Sequence, residues 1–239
     1  MESPKASNRL IWFIKHKLRL FLDNYEISFY YFKWRHPDTV INDDTEIVIE
    51  AAPSSGNSFA VQAFKIAQNR EVRIAHHQHL PFQVIKACQK EIPCLVIIRN
   101  PLDVLSSYLS RFYLNPGSLE AILWGNLILN YWIRFYNTIF PYKDKFFLCM
   151  FDEVTKNYGE VINKLNEFYG TNFKIPNETH YEEAWKILNM RVKPDKNRNI
   201  FKQSLKKWIS NEKRFMKPLK EALKLYEKYV NYKKNNCLF

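Results

Sequence analysis

Glycine is scarce in this chain, with 5 residues among 239, while aromatic side chains make up 16% and hydrophobic residues 46%. So little glycine with so much apolar side chain argues against flexible linkers and low-complexity tails. It favours an ordered protein with a sizeable core. Because α/β domains of about 200–250 residues are common, we interpret residues 1–239 as a single domain.

Cysteine is also sparse, and the four cysteines show neither a Cys-x-x-Cys pair nor a metal-ligand spacing with histidine. Cys88, Cys94 and Cys149 fall in apolar segments, so we expect reduced thiols packed in a core. The pattern disfavours a disulfide-dense secreted fold. No metal is expected at the functional site.

The chain lacks a hydrophobic run of the length that crosses a membrane, about 20 predominantly apolar residues. Its apolar stretch from Leu10 to Leu22 is interrupted by three basic residues, and no small-residue cleavage site follows it. We therefore expect a cytoplasmic protein with no transmembrane segment. Residues 8–33 predict one amphipathic helix that packs on its own domain, with binding to a membrane surface as the alternative.

Acidic residues are outnumbered, with 24 Asp and Glu against 36 Lys and Arg, and the formal net charge is +12. The excess is concentrated at 191–239, which we interpret as a basic loop over 191–204 followed by a helix over 210–229. A basic surface favours a polyanionic partner: nucleic acid, anionic lipid or a multiply phosphorylated small molecule. Charge alone does not choose among them.

Strand and helix patterns alternate along most of the chain. Short apolar runs predict strands at 45–52, 72–76, 93–98 and 145–151, and helical spacing predicts helices at 59–69, 81–90, 102–112, 118–140 and 158–169. The run at 93–98 is continuously apolar, as in a strand that is buried on both faces of a parallel sheet. The alternation predicts an α/β fold with a central parallel sheet flanked by helices.

In open α/β sheets, ligands bind where strands end and helix N-termini present unpaired N–H groups. The first such turn is Pro53-Ser54-Ser55-Gly56-Asn57-Ser58, which follows the first predicted strand. Gly56 lets the backbone approach an anion closely, and the serines add hydroxyl donors. The turn lacks the Lys of the Walker pattern, which disfavours an ordinary ATP- or GTP-hydrolysing P-loop.

The second turn is Arg99-Asn100-Pro101-Leu102-Asp103-Val104-Leu105-Ser106-Ser107, directly after the buried strand at 93–98. An Arg at the end of such a strand is costly unless it meets an anion. Ser107 lies two turns into the following helix, on the side that can face the same anion. The alternative is that Arg99 pairs with Asp103.

Together and in this order, the two turns resemble those of the sulfotransferases that use 3′-phosphoadenosine 5′-phosphosulfate (PAPS). The resemblance covers about residues 45–170 and implies the P-loop NTPase-like architecture of that family. It implies that the 5′ end of the nucleotide is bound by Ser54, Ser55, Gly56, Asn57 and Ser58. It also implies that Arg99 and Ser107 bind the 3′-phosphate.

Three other segments are similar to the family's motifs. His77-Gln78-His79-Leu80-Pro81 is similar to Lys-Thr-His-Leu-Pro, which implies that His79 is the catalytic base. Phe151-Asp152-Glu153 resembles Tyr-Glu-Asp, whose aromatic ring lies near the adenine. Phe59 takes the place of the Trp that stacks on the adenine.

The sequence departs from the family pattern at three places. Ser54 stands where the family usually has Lys or Arg, and His77 stands in place of the Lys before the catalytic His. We hypothesise that a protonated His77 partly replaces the missing Lys. The C-terminal Arg-Lys-Gly that grips the 3′-phosphate has Lys202 as its nearest counterpart, with Arg198 as the second candidate.

The resemblance implies transfer of the sulfuryl group of PAPS, without a metal, to a hydroxyl or less readily an amine of a small molecule such as a natural product or a sugar. The helix at 118–140 and the loop at 176–200 would line the acceptor pocket. The alternative is a non-catalytic protein that binds PAP (the desulfated nucleotide) or nucleic acid on the same fold. A small-molecule kinase on a related P-loop fold is a weaker third reading.

Overall fold

The computed structural model describes residues 6–23, 25–188 and 195–236. Within them, the sheet has four strands, β1 (Ile47–Glu50), β2 (Ile74–His76), β3 (Cys94–Ile98) and β4 (Phe147–Met150). All neighbours pair in parallel, and the strand order is β2-β1-β3-β4. The predicted single α/β domain with a central parallel sheet flanked by helices is confirmed.

Alternate residues of the central strands belong to two separate hydrophobic clusters. Val48, Val96 and Ile98 belong to one cluster, whereas Ile49 and Ile97 belong to the other. Because successive side chains of a strand point to opposite faces, the sheet is covered by helices on both sides. This explains why β1 and β3 consist of apolar side chains except at Glu50.

Helices connect the strands and extend the domain at both ends. They are α1 (Ala6–Leu22), α2 (Ile27–Arg35), α3 (Asn57–Gln68), α4 (Pro81–Gln89), α5 (Pro101–Arg111), α6 (Leu119–Ile139), α7 (Phe151–Lys156), α8 (Tyr158–Tyr169), α9 (Glu178–Ile187), α10 (Lys196–Asn211) and α11 (Lys213–Asn235). Local signals set several ends: the Asn100 side chain accepts a hydrogen bond from the Leu102 N–H at 2.9 Å, and Gly170 ends α8 in the left-handed conformation.

The single helix predicted at 8–33 is in fact two helices, α1 and α2. The Asp23 side chain is buried at the junction, where its carboxylate lies 3.6 Å from Arg19 Nε. Helix α1 ends at Leu22, beside this buried carboxylate, and helical periodicity does not reveal the break. The prediction that this segment packs on its own domain holds for one side of α1, where Phe13 and Leu20 contact the core.

Two predicted loops contain helices instead. Residues 178–187 of the loop predicted at 176–200 form α9, and the basic loop predicted at 191–204 is helical from Lys196. Side-chain caps begin both, since Asn177 accepts from the His180 N–H at 3.3 Å and Asp195 from the Arg198 N–H at 2.7 Å. The many charged residues of α10 obscure its helical periodicity in the sequence. Residues 189–194 lie outside the described part of the chain.

Three cysteines are reduced and buried as predicted, namely Cys88, Cys94 and Cys149. Cys237 lies outside the described residues. No helix in the described ranges has both the length and the apolar content needed to span a bilayer.

Candidate active site

The turns at the carboxyl ends of the four strands line one cavity of about 210 Å³. Every residue that the sequence singled out lies along it: Ser54, Ser55, Gly56, Asn57, Ser58, Phe59, His77, His79, Arg99, Ser107, Phe151, Arg198 and Lys202. The structure also adds Ser110, Arg111 and Thr155, and the cavity includes Trp185 from the segment 176–200 that was expected to line the acceptor pocket. Ser110 and Thr155 lie about one helical turn beyond Ser107 and Phe151, and that spacing could have revealed them.

The turn after β1 is a backbone cradle for an anion. Ser54 and Gly56 both adopt positive φ, 62° and 102°, which turns the chain sharply into the N-terminus of α3. The Ala60 N–H bonds to the Gly56 carbonyl at 3.1 Å, so the N–H groups before it have no intrahelical acceptor. A Cβ atom built on Gly56 would lie 3.1 Å from the Phe151 ring. Such a concave array of N–H groups at a helix N-terminus suits phosphate or sulfate.

A buried carboxylate, missed by the sequence analysis, holds this turn against the histidine loop. Glu50 is 0% exposed and ends β1. Its two oxygens accept from the Gln78 N–H (2.9 Å), Gln83 Nε2 (2.8 Å), the His79 N–H (3.2 Å), the Ala51 N–H (3.3 Å) and Asn57 Nδ2 (3.4 Å). Burial raises the pKa of Glu50 to about 7, although these donors lower it. An acidic residue at the end of an otherwise apolar strand was the feature of the sequence that could have revealed Glu50.

The hydrogen bond of His79 fixes which ring nitrogen carries the proton. Nδ1 lies 2.6 Å from the carbonyl oxygen of Ala51. A carbonyl only accepts, so Nδ1 is the donor and Nε2 keeps its lone pair. Burial lowers the pKa of His79 to about 3. The imidazole is therefore neutral at neutral pH and has the tautomer that a base needs.

His77 is held by two neighbours. Its Nε2 lies 3.0 Å from Ser58 Oγ, and its Nδ1 lies 2.8 Å from Nδ1 of His76. Burial, and to a lesser extent the charge of Lys65, lowers the pKa of His77 to about 4. In the protein without a bound anion, burial and the charge of Lys65 therefore favour the neutral form of His77, and its protonation beside the nucleotide stays a prediction.

Arg99 makes no ion pair with Asp103 among the described residues, unlike the alternative considered from the sequence. Asp103 instead contacts Lys206 and lies 3.8 Å from Lys202 Nζ. Arg99 donates to the Ser54 carbonyl at 2.8 Å and stacks over the Phe151 ring at 3.8 Å. Burial lowers the pKa of its guanidinium, and its buried Nε has no hydrogen-bond partner in the described chain.

Helix α10 brings two more cations to the same end of the cavity. Arg198 is 4% exposed, and its guanidinium donates to Ser110 Oγ and to the Ser107 carbonyl, both at 3.4 Å. Burial, followed by the charge of Arg99, lowers the pKa of Lys202 to about 8. Arg198 is buried and Arg99 and Lys202 are partly buried, and such a concentration of cations in one cavity suits a multiply charged anion.

Another part of the cavity lining is aromatic. Phe59 is 2% exposed, and its ring stacks on Trp185 of α9 with centroids 4.6 Å apart. The face of Phe59 predicted to meet the adenine is thus covered by Trp185, which itself lines the cavity. The helix predicted at 118–140 was expected to line the acceptor pocket, but its tryptophans Trp124 and Trp132 are core residues at 4% and 0% exposure.

Comparison with known proteins accounts for this combination of turns and cations. A family model described as "Sulfotransferase domain" matches residues 9–229. The chain belongs to the sulfotransferase family. Among solved structures it is similar to mouse sulfotransferase SULT7A1 complexed with PAP, with 14% identity and a TM-score of 0.44, over 77% of this chain and 91% of that one. No curated protein sequence matches the chain.

This sulfotransferase departs from the family's motifs at Ser54, and the structure shows what surrounds that position. The Ser54 hydroxyl oxygen is buried with no hydrogen-bond partner among the described residues, while the carbonyl of the same residue accepts from Arg99. The cavity's cationic groups include Arg99, directly after β3, and Arg198 and Lys202 of α10. Among the described residues, no group of three or more His, Cys, Asp and Glu could hold a metal ion.

Proposed function

We propose that this sulfotransferase moves the sulfuryl group of PAPS to a hydroxyl group of a small-molecule acceptor. The observation that carries the proposal is a single cavity that joins an anion cradle, an imidazole with an available Nε2, and three cations, of which Arg198 is buried and Arg99 and Lys202 are partly buried. Family membership supports sulfuryl transfer in general. The acceptor class and the role of His79 are part of the proposal. The hydrogen bond from His79 Nδ1, which leaves Nε2 to accept a proton, supports the role of His79.

The lining residues fit the nucleotide in charge and in shape. Arg99, Arg198 and Lys202 would hold the 3′-phosphate with Ser107, because all three cations line the cavity and Asp103, the carboxylate 3.8 Å from Lys202 Nζ, also contacts Lys206. The turn at 54–58 would hold the 5′ end with its N–H groups and hydroxyls. Trp185 and Phe151 would flank the adenine. When bound, PAPS supplies the sulfuryl group, and PAP is its leaving group.

The residues of the chain would then act on protons and charge. His79 Nε2 accepts the proton of the attacking hydroxyl, and Nδ1–H keeps the ring oriented through the Ala51 carbonyl. Glu50 Oε2 lies 3.9 Å from His79 Nδ1, close enough to stabilise the imidazolium that forms. The α3 N–H groups stabilise negative charge on the departing phosphate. Transfer in line needs positioning of this kind.

The same geometry argues against the nucleic-acid alternative. The cations of the cavity are largely buried, with Arg198 at 4% exposure and the Lys202 side chain at 18%. A nucleic-acid strand is bound by an exposed row of cations along a surface. An enclosed cluster instead suits a compact, multiply charged small molecule.

The test is incubation of the purified protein with ³⁵S-labelled PAPS and a panel of phenols, alcohols, sugars and amines. We expect label on at least one hydroxyl acceptor, with loss of transfer in Arg99→Ala and retention in Arg70→Ala, an exposed arginine paired with Glu46 outside the cavity. Label on amines alone would replace the hydroxyl assignment. PAP binding without transfer to any acceptor would favour a non-catalytic PAP-binding protein.

A further inference from the structure

Helix α1 has two apolar faces, and the described part of the chain covers only one of them. Phe13, His16 and Leu20 turn toward α6, where His16 contacts the rings of Trp124 and Tyr131. The opposite side carries a second apolar row at helical spacing, whose members are 43–58% exposed: Ile11, Ile14, Leu18, Phe21 and Leu22. A helix that is apolar on both sides is normally buried on both.

Helix α2 repeats the arrangement. Ser28, Phe29 and Phe32 face the core, while the other side carries an exposed row of one aliphatic and three aromatic residues: Ile27, Tyr30, Tyr31 and Trp34. Trp34 is 79% exposed. The Phe21 ring of the α1 row lies 5.8 Å from the ring of Tyr25, an exposed residue between α1 and α2. We name these two rows the N-terminal face.

The charges beside the N-terminal face are almost all positive. Residues 6–35 contain six Lys and Arg but only two acidic residues, Asp23 and Glu26. Both are neutralised within the protein, Asp23 by Arg19 and Glu26 by Lys86. Lys15 and Lys17 are exposed. A second copy of the chain would meet this face with the same positive charge, so the charge favours an anionic partner.

We propose that the N-terminal face binds the surface of an anionic lipid bilayer. Exposed Leu, Ile and Phe rows flanked by Lys match helices that lie in the plane of the interface, with their apolar side in the acyl region and their cations on the headgroups. Tyr and Trp suit the headgroup level. A contiguous exposed apolar surface on a folded protein marks an interaction site.

The N-terminal face is structurally linked to the candidate catalytic loop. The Arg19 guanidinium of α1 donates to the Gln78 carbonyl, next to His79, and lies 4.5 Å from the centre of the Phe32 ring of α2. Arg19 thus ties both helices to the loop. A bilayer bound at this face would lie one helix away from His79. The binding itself does not depend on the reaction that the cavity performs.

The test is flotation of the full chain with phosphatidylcholine vesicles, with or without phosphatidylglycerol, at low and high salt. We expect binding that requires phosphatidylglycerol and weakens with salt. Leu18→Glu with Trp34→Glu should reduce binding by at least about tenfold. Ile200→Glu with Met216→Glu, on similarly exposed apolar residues of α10 and α11, is the matched control and should bind as the wild type does.

A charge variant keeps the proposal testable if the apolar variant folds poorly. Lys15→Glu with Lys17→Glu leaves both rows intact and should abolish the phosphatidylglycerol dependence. Failure of the wild type to float with anionic vesicles would overturn the proposal. Equal flotation of the wild type and the face variants would do the same. So would a concentration-dependent dimer, seen by light scattering, that the face variants abolish.

Discussion

At the scale of single residues, the chemistry depends on His79, whose Nδ1 is committed to the Ala51 carbonyl at 2.6 Å. Its Nε2 is the atom left to accept a proton. We expect His79→Ala to lower kcat by about 10²–10⁴-fold, the usual contribution of a general base. PAP affinity, measured by calorimetry, should stay near that of the wild type. Turnover close to the wild-type rate would remove His79 from the mechanism.

The contribution of Glu50 to the free energy of unfolding should depend on pH. Burial raises the pKa of Glu50 from 4.5 to about 7. Between these pH values the Glu50 carboxyl therefore stays protonated in the folded state but ionises in the unfolded chain. The contribution of Glu50 is therefore fully present below pH 4.5 and declines as pH rises to about 7. The free energy of unfolding of the wild type minus that of Glu50→Gln, from urea titrations, should fall by a few kcal/mol over this range. A pH-independent difference would contradict this.

The lowered pKa of Lys202 predicts how nucleotide affinity varies with pH. Its pKa is lowered to about 8 in the protein without ligand, and a bound anion raises the pKa again. Binding therefore favours the charged lysine, and PAP affinity should be greatest below pH 8 and fall as pH rises above it. Lys202→Arg should bind with little change in this range. Calorimetric titrations at several pH values measure both proteins.

At the scale of elements, the decisive piece is the turn from β1 into α3. Gly56 has φ of 102°, and an added Cβ would press on Phe151, whereas Gly117 has φ of 81° with no atom within 4 Å of an added Cβ. Both Gly→Ala changes carry backbone strain of about 1–2 kcal/mol. Only Gly56→Ala should also weaken PAP binding, because it distorts the cradle. Equal PAP affinities of the two variants would show that the turn does not hold the nucleotide.

The elements also show where sequence reasoning succeeded and where it stopped. The sequence predicted strand β3 and the Arg99–Ser107 turn because each is defined by the types of neighbouring side chains along the chain. Helix α10 was read as a loop because its buried residues, Arg198, Leu205 and Ile209, are few and separated by charge. The cap at Asp195 was the signal that could have found it.

At the scale of the whole molecule, the site exists because distant segments meet at one edge of the sheet. The sequence order of the turns predicted that edge, since parallel strands end together. It could not predict that Glu50 accepts from Gln83, 33 positions away, or that Arg198 reaches Ser110, 88 positions away. Nor could it show that Trp185 covers Phe59. Such contacts depend on the packing of helices, which local spacing does not encode.

The central claim is that the cavity binds the nucleotide through Arg99, and calorimetric titration with PAP tests it most directly. Wild-type protein and Arg99→Ala would be titrated side by side, with Arg70→Ala as the control for loss of one positive charge at an exposed ion pair. We expect binding by the wild type and by Arg70→Ala, and a loss of at least about tenfold in affinity for Arg99→Ala, the size of one charge-assisted contact. No binding by the wild type, or equal binding by all three proteins, would contradict the account.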